Sequence, residues 1–155
     1  MTPASLRALA APAARLTGLL EALQPLALLA ARWYVAKVFF LSGLTKLHDW
    51  DITVALFLNE YHVPLLPPEV AAVMGTAGEL ALPVFLVLGL GTRFAALGLF
   101  FVNAVAVISL PDITDAALQQ HVFWGSLLIG LLLWGPGRWA ADRWLVRRWW
   151  PQAVR

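Results

Sequence analysis

The residues of this chain that could do chemistry are few and sit where they are expensive. Arg32 and Lys37 fall in the apolar run 26–45, Glu79 in the run 70–90, and Asn103 in the run 94–110. Ionisable side chains inside such runs are costly to place in hydrocarbon and mark ligand contacts, ion paths or proton relays. Taking Lys46 as the outer end of the first run puts Lys37 ~13 Å and Arg32 ~21 Å below it, with Glu79 ~16 Å below Pro68. By depth, Lys37, Glu79 and Asn103 meet near the middle of a bilayer. By face, Arg32 shares a stripe with Ala36, Phe39, Gly43 and Lys46, whereas Lys37 lies with Ala30, Tyr34, Leu41 and Leu44. Glu79 lies with Ala72, Gly75, Thr76 and Pro83, small residues that let helices approach. Depth therefore pairs Lys37 with Glu79 and face pairs Arg32 with it. The reach of an arginine favours Arg32–Glu79, with Lys37 left for a protomer interface or a water-filled crevice. Pro83 cannot donate to the carbonyl of Glu79, so a carboxylate and a free backbone oxygen share one helical turn. A buried Arg–Glu pair with an asparagine equally serves to register helices without any chemistry.

A second group is the histidines. His48, His62 and His121 are the whole set, with Asp49, Asp51, Glu60 and Asp112 near them in sequence or layer. Histidine with carboxylate binds copper, zinc or iron, and two histidines ligate haem. No pair here has helical ligand spacing, so ordinary interfacial histidine is the competing reading. The absence of cysteine removes disulfides, thiolate metal sites and thiol redox chemistry. No nucleophile motif or phosphate loop appears. The stretch Gly89-Leu90-Gly91-Thr92-Arg93 lacks the setting of a dinucleotide fingerprint and reads as a tight turn.

The elements that carry these residues must be membrane helices. The chain has 155 residues, 61% of them hydrophobic and only 13% charged. Its mean hydropathy is +0.76. The apolar residues form four continuous runs, 26–45, 70–90, 94–110 and 118–134, each near the ~20 residues a spanning helix needs. Continuous rather than alternating runs argue against a β-barrel. Gln119, Gln120 and His121 polarise the entrance of the fourth. Residues 1–24 are Ala/Leu-rich with Arg7 and Arg15, and predict an amphipathic interfacial helix rather than a cleaved signal. Residues 53–61 predict a short helix in the first external loop, before the extended stretch imposed by Pro64, Pro67 and Pro68. The fold class is all-α: a four-helix transmembrane bundle at 25–136, the interfacial helix at 1–24, and a basic, Trp-rich tail at 137–155.

Charge gives the orientation. Arg7, Arg15, Arg93, Arg138, Arg143, Arg147, Arg148 and Arg155 fall on one side, and the acidic loop residues with Lys46 on the other. The positive-inside rule makes both termini cytoplasmic. Trp139, Trp144, Trp149 and Trp150 suit an interfacial anchor. A net charge of +2 gives no support to a nucleic-acid partner. The lipid bilayer is the expected partner, beside a protein partner or a second copy.

Several of these stretches resemble a known family. Phe39-Phe40-Leu41-Ser42-Gly43-Leu44-Thr45-Lys46-Leu47 resembles the first-helix signature of DoxX family membrane proteins. Thr76-Ala77-Gly78-Glu79-Leu80, followed by residues 88–96, is similar to the second. The similarity runs over about 32–136. The loop 61–69 looks like a DoxX branch encoded beside small metal-binding peptides and their modifying enzymes. The resemblance implies a four-helix protein of the bacterial inner membrane, with Arg32, Lys46, Glu79 and Arg93 as the positions to watch. It also implies a redox association, because the family name derives from a quinone-linked thiosulfate-oxidising system. The leading expectation is a subunit or accessory of such a system, with Arg32, Glu79 and Asn103 holding a quinone head group or relaying protons. The alternatives are a non-catalytic scaffold for a metal-stress or oxidoreductase system, and a metal or haem protein using His62, His121 and His48.

Overall fold

In a computed structural model, residues 3–149 are described, with side chains described over 14–142 and at 144, 145 and 148. Trp150 and Arg155 of the basic tail lie outside the described residues, as do the side chains of Arg7, Arg143, Arg147 and Trp149. The elements are α1 (Pro3–His48), α2 (Trp50–Asn59), α3 (Pro68–Leu88), α4 (Thr92–Ser109), α5 (Asp115–Trp134) and α6 (Ala141–Trp149). Four of them are long and apolar enough to cross a membrane: α1 over Ala14–His48, then α3, α4 and α5. The expected second, third and fourth spans agree with these to within a few residues, whereas the first begins well before residue 26. The expected loop helix at 53–61 is α2.

The N-terminal part differs from its expectation. No break separates residues 3–24 from the first span, and α1 runs on through Pro12 and Pro25. The composition explains this. Alanine and leucine are strong helix formers, and no glycine or polar cluster stands between the segments to form a loop. Thr114 caps α5 by accepting from Ala117 N at 3.3 Å, so the polar entrance of that span starts a regular helix.

α3 is the centre of the bundle and packs on α1, α4 and α2. The stripe Arg32, Ala36, Phe39 and Gly43 is buried, while Ala30, Tyr34, Lys37, Leu41 and Leu44 are exposed. The core joins Val35, Ala36 and Phe39 of α1 to Leu86, Ala95, Leu99, Leu128 and Leu131. Large side chains exposed on the outside of the bundle, such as Leu41, Phe94, Ile108 and Leu133, are those a bilayer would cover.

Two close approaches fix the register of α1 against α3. A Cβ on Gly43 would lie 2.8 Å from Leu80 Cγ and 3.1 Å from Glu79 Cβ, so Gly43 is level with Glu79. Arg32 lies against Gly89, the residue that ends α3. The two spacings agree, ~17 Å along α1 and ~15 Å along α3. Beyond that level α1 continues for ~7.5 Å to His48, whereas α3 extends ~17 Å to Pro68. α1 therefore stops ~9 Å short of the start of α3. α2 and the loop after it fill that layer, with Phe57 of α2 packed on Ala71 and Ala72.

Candidate functional site

The absence of a side chain at Gly43 brings α1 onto α3, and Lys46 one turn further on reaches across. Its Nζ donates to Glu79 Oε2 at 2.6 Å and to Ser42 Oγ at 3.0 Å. The two side chains form an ion pair. The expected Arg32–Glu79 pair does not form, and neither does a Lys37–Glu79 pair. The error lay in depth. Lys46 and Pro68 do not share one membrane level: Lys46 is only ~4.5 Å along α1 from the level of Glu79. Arg32 is at the far end, level with the last residue of α3. Lys37 is ~7.5 Å from Arg32 along α1 and exposed, so its long side chain can run along the bundle surface to the nearby boundary.

Beside the Lys46–Glu79 pair lies a cavity of about 400 Å³. Its polar lining is Ser42, Lys46, Tyr61, Glu79, Ser109 and His121. Its apolar lining includes Phe57, Met74, Phe101, Val105, Leu110 and Ile113. α1 and α3 supply the ion pair, α4 one wall and α5 the histidine. α2 and the loop after it form the roof. Two contacts tie that roof to the bundle and a third stiffens it from within. Thr53 Oγ1 donates to Lys46 O at 3.0 Å, His62 N donates to Ser109 O at 2.8 Å, and the rings of Phe57 and Tyr61 meet edge-on at 5.0 Å. Burial pushes the Tyr61 hydroxyl above the ordinary tyrosine value, and the charges of Glu60 and Glu79 add to the effect.

Asn103 also departs from expectation. It is buried on α4, but its partner is His121 of α5 rather than Arg32 or Glu79. Asn103 Nδ2 donates to His121 O at 3.0 Å, and Asn103 Oδ1 lies 2.8 Å from His121 Nδ1. Gly125 makes room, since a Cβ there would lie 3.3 Å from Asn103 Nδ2. The His121 ring meets Trp124 edge-on at 5.0 Å. His62 Nδ1 lies 3.1 Å from Glu60 O, and His48 is exposed. Among the described residues no three His, Asp or Glu side chains are grouped to hold a metal ion, and of the three histidines His121 lines the cavity while His62 and His48 are outside its lining. Two are held by local contacts of their own.

At the opposite end of the bundle, Arg32 and Arg93 hold chain ends together. Arg32 is 1% exposed and its Nη2 donates to Trp139 O at 2.6 Å. Asp142 Oδ1 and Oδ2 accept from Gly91 N at 2.8 Å and Thr92 N at 3.2 Å, capping α4. Asp142 N donates to Gly89 O at 2.9 Å, and Arg93 Nη2 donates to Leu133 O at 3.4 Å. This set ties the α3–α4 turn to the segment after α5.

Sequence reasoning singled out Glu79, Lys46 and His121 separately but not as one site, and it missed Ser42, Tyr61 and Ser109. Their hydroxyls are common residue types at ordinary positions, and only the tertiary packing gathers them. The one available signal was Gly43 between Ser42 and Lys46, a small residue that marks a close helix contact.

The DoxX family model matches residues 27–112. Inner membrane protein YphA of Escherichia coli (strain K12) is 31% identical over 126 residues, which cover 75% of this chain and 88% of that protein. No solved structure matches the chain. The matched region contains Ser42, Lys46, Tyr61, Glu79 and Ser109, and ends before His121.

Proposed function

The chain belongs to the DoxX family and is a multi-pass inner-membrane protein, and from that premise we propose that it serves a quinone-linked redox system as a subunit or accessory, its cavity beside Lys46 and Glu79 taking a quinone head group. The observation that carries the reading is the cavity itself, a largely apolar space with an ion pair at one side. Met74 of α3 and Phe101 of α4 line it and are 57% and 59% exposed. They put the cavity at the bundle surface between α3 and α4, where lipid would lie. A ligand dissolved in the bilayer would enter there without crossing water.

The residues present fit such a group. A quinone ring has two carbonyl oxygens that accept hydrogen bonds. Lys46 uses two of its three N–H donors on Ser42 and Glu79, which leaves one, and the Tyr61 hydroxyl is a second donor. Phe57, Phe101 and Ile113 give flat and branched apolar surface for the ring and its chain. A bound quinone would supply two-electron carrier chemistry. The chain's own residues would bind it and orient it, with Glu79 holding the Lys46 ammonium in place.

Charge supports the orientation proposed with this reading. Arg93 and Arg138 stand at the Gly89 end, and Asp49, Asp51, Glu60, Glu69, Asp112 and Asp115 at the other, which makes the Gly89 end cytoplasmic. The cavity then lies in the outer half of the membrane.

The test is purification in mild detergent, solvent extraction and mass spectrometry, with titration of a decyl-substituted benzoquinone into the purified protein. A co-purifying quinone, or binding that weakens in Lys46→Met, supports the reading. Neither co-purification nor binding of the added quinone overturns it.

A further inference from the structure

The cavity holds more hydrogen-bond acceptors than a quinone needs, and their arrangement starts with Asn103. The amide of Asn103 is fixed at both ends. Its Nδ2 donates to the main-chain oxygen of His121, which accepts only, so its Oδ1 is the atom that faces His121 Nδ1. Oδ1 is itself an acceptor, so the proton of the neutral imidazole must sit on Nδ1. Nε2 then carries a lone pair and accepts. Trp124 against the ring and Gly125 beneath the amide hold this geometry.

Glu79 adds a second acceptor. Lys46 engages Oε2, and Oε1 remains to accept. Ser109 Oγ gives its proton to Val105 O at 2.6 Å and presents lone pairs. His121, Glu79 and Ser109 all line the cavity. Against these three acceptors stand three donors, the remaining N–H of Lys46 and the hydroxyls of Tyr61 and Ser42. A ligand with carbonyl oxygens only would leave His121 Nε2 and Glu79 Oε1 unmatched in a half-buried site, where unmet polar groups are costly.

We infer that the cavity selects a ligand that donates hydrogen bonds through ring hydroxyls, a hydroquinone in preference to the corresponding quinone, with His121 Nε2 as a principal acceptor and Asn103 as the positioning residue that sets its tautomer. The inference rests on the proposed quinone-site reading and adds to it which redox form is held. The resting protein would store the reduced carrier, and its partner would be an enzyme that delivers or consumes hydroquinone.

The experiment measures Kd for a decyl-substituted benzoquinone and for its hydroquinone on the full-length protein in detergent, the reduced form under anaerobic conditions. The hydroquinone is expected to bind at least about fivefold tighter, the effect of one net hydrogen bond. His121→Phe keeps the ring against Trp124 and removes both nitrogens, and Asn103→Leu removes the tautomer constraint. Each is expected to reduce the ratio towards one, a change that general loosening of the fold, which weakens both forms alike, would not give. Should either variant fail to fold, the other still measures the ratio. Equal binding of the two forms by the unaltered protein, or a ratio unchanged in the variants, overturns the inference and leaves the quinone site standing. Binding of neither form removes both.

Discussion

Lys46 of α1 reaches Glu79 of α3 at 2.6 Å, across a helix contact that Gly43 makes possible. The two side chains are 22% and 9% exposed, so the pair is neither a surface ion pair nor a dry one. Removing one partner of a fully buried pair costs ~3–5 kcal/mol, because the other charge is left without compensation. The open side of the cavity lowers that figure here. Glu79→Leu and Lys46→Met are each expected to destabilise by about 1–3 kcal/mol. The double variant is expected to recover part of the loss, since an apolar pair leaves no stranded charge. Thermal unfolding in detergent of the four proteins measures the coupling. Strict additivity would mean that the pair contributes nothing as a pair.

The chain turn at the other end makes a sharper comparison. Gly89 and Gly91 both have left-handed backbones, with φ of 71° and 54°. A Cβ at Gly89 would lie 2.8 Å from Ala140 Cα, whereas at Gly91 the nearest atom is Phe94 Cβ at 4.0 Å. Gly91→Ala should therefore cost only the left-handed penalty of roughly 1–2 kcal/mol. Gly89→Ala should cost more, because main-chain atoms must move and the Arg32–Trp139 bond lies beside them. Comparison of melting temperatures checks this, and equal losses would show that the segment after α5 is not held against the turn.

These two sites also show what was legible in the sequence. The four spans and the short loop helix follow from apolar runs and from proline, which act locally. The buried stripe of Arg32, Ala36, Phe39 and Gly43 follows from helical periodicity alone. The ion pair does not. Periodicity gives the face of Glu79 but not the register of α3 against α1, and that register is set by where Gly43 and Gly89 allow contact. Asn103 and His121 meet across the α4–α5 contact, and nothing in either residue's neighbourhood signals the other. Asp142 is one acid in a basic tail, and its role as the cap of α4 appears only when the chain returns to the turn at Gly91.

Tyr61 carries a pH dependence. Burial raises its hydroxyl above the ordinary value, with Glu60 and Glu79 adding to the shift. A folded value above the unfolded one means that the fold binds this proton more tightly than the unfolded chain does. The resulting stability is fully present below about pH 10, the ordinary tyrosine value. It declines as pH rises past that point and through the folded value. The chain has 2 tyrosines, so Tyr34→Phe leaves Tyr61 as the sole reporter. Tyrosinate absorbance in that variant should rise with a midpoint above 10. Because burial is the larger cause, Glu79→Gln should lower the midpoint only in part. A midpoint at the ordinary value would place Tyr61 in open water and remove it from the cavity roof.

Orientation can be read directly because the chain has no cysteine. Leu65 stands at the tip of the loop after α2 and is fully exposed, and Arg138 is exposed at the opposite end. With arginines concentrated at the Arg138 end, that end should face the cytoplasm. Leu65→Cys is then expected to react with a membrane-impermeant maleimide in spheroplasts without permeabilisation. Arg138→Cys is expected to react only once the membrane is opened. Leu65 has φ of 67°, a backbone that cysteine adopts no more easily than leucine, so the substitution adds no new strain there. The labelling also locates the cavity, because the Lys46–Glu79 pair lies in the half of the bundle nearer Leu65. If Arg138→Cys reacts first, the arginine count has been overruled by the rest of the chain. The cavity would then open in the cytoplasmic half, and a partner oxidoreductase would have to be sought on that side.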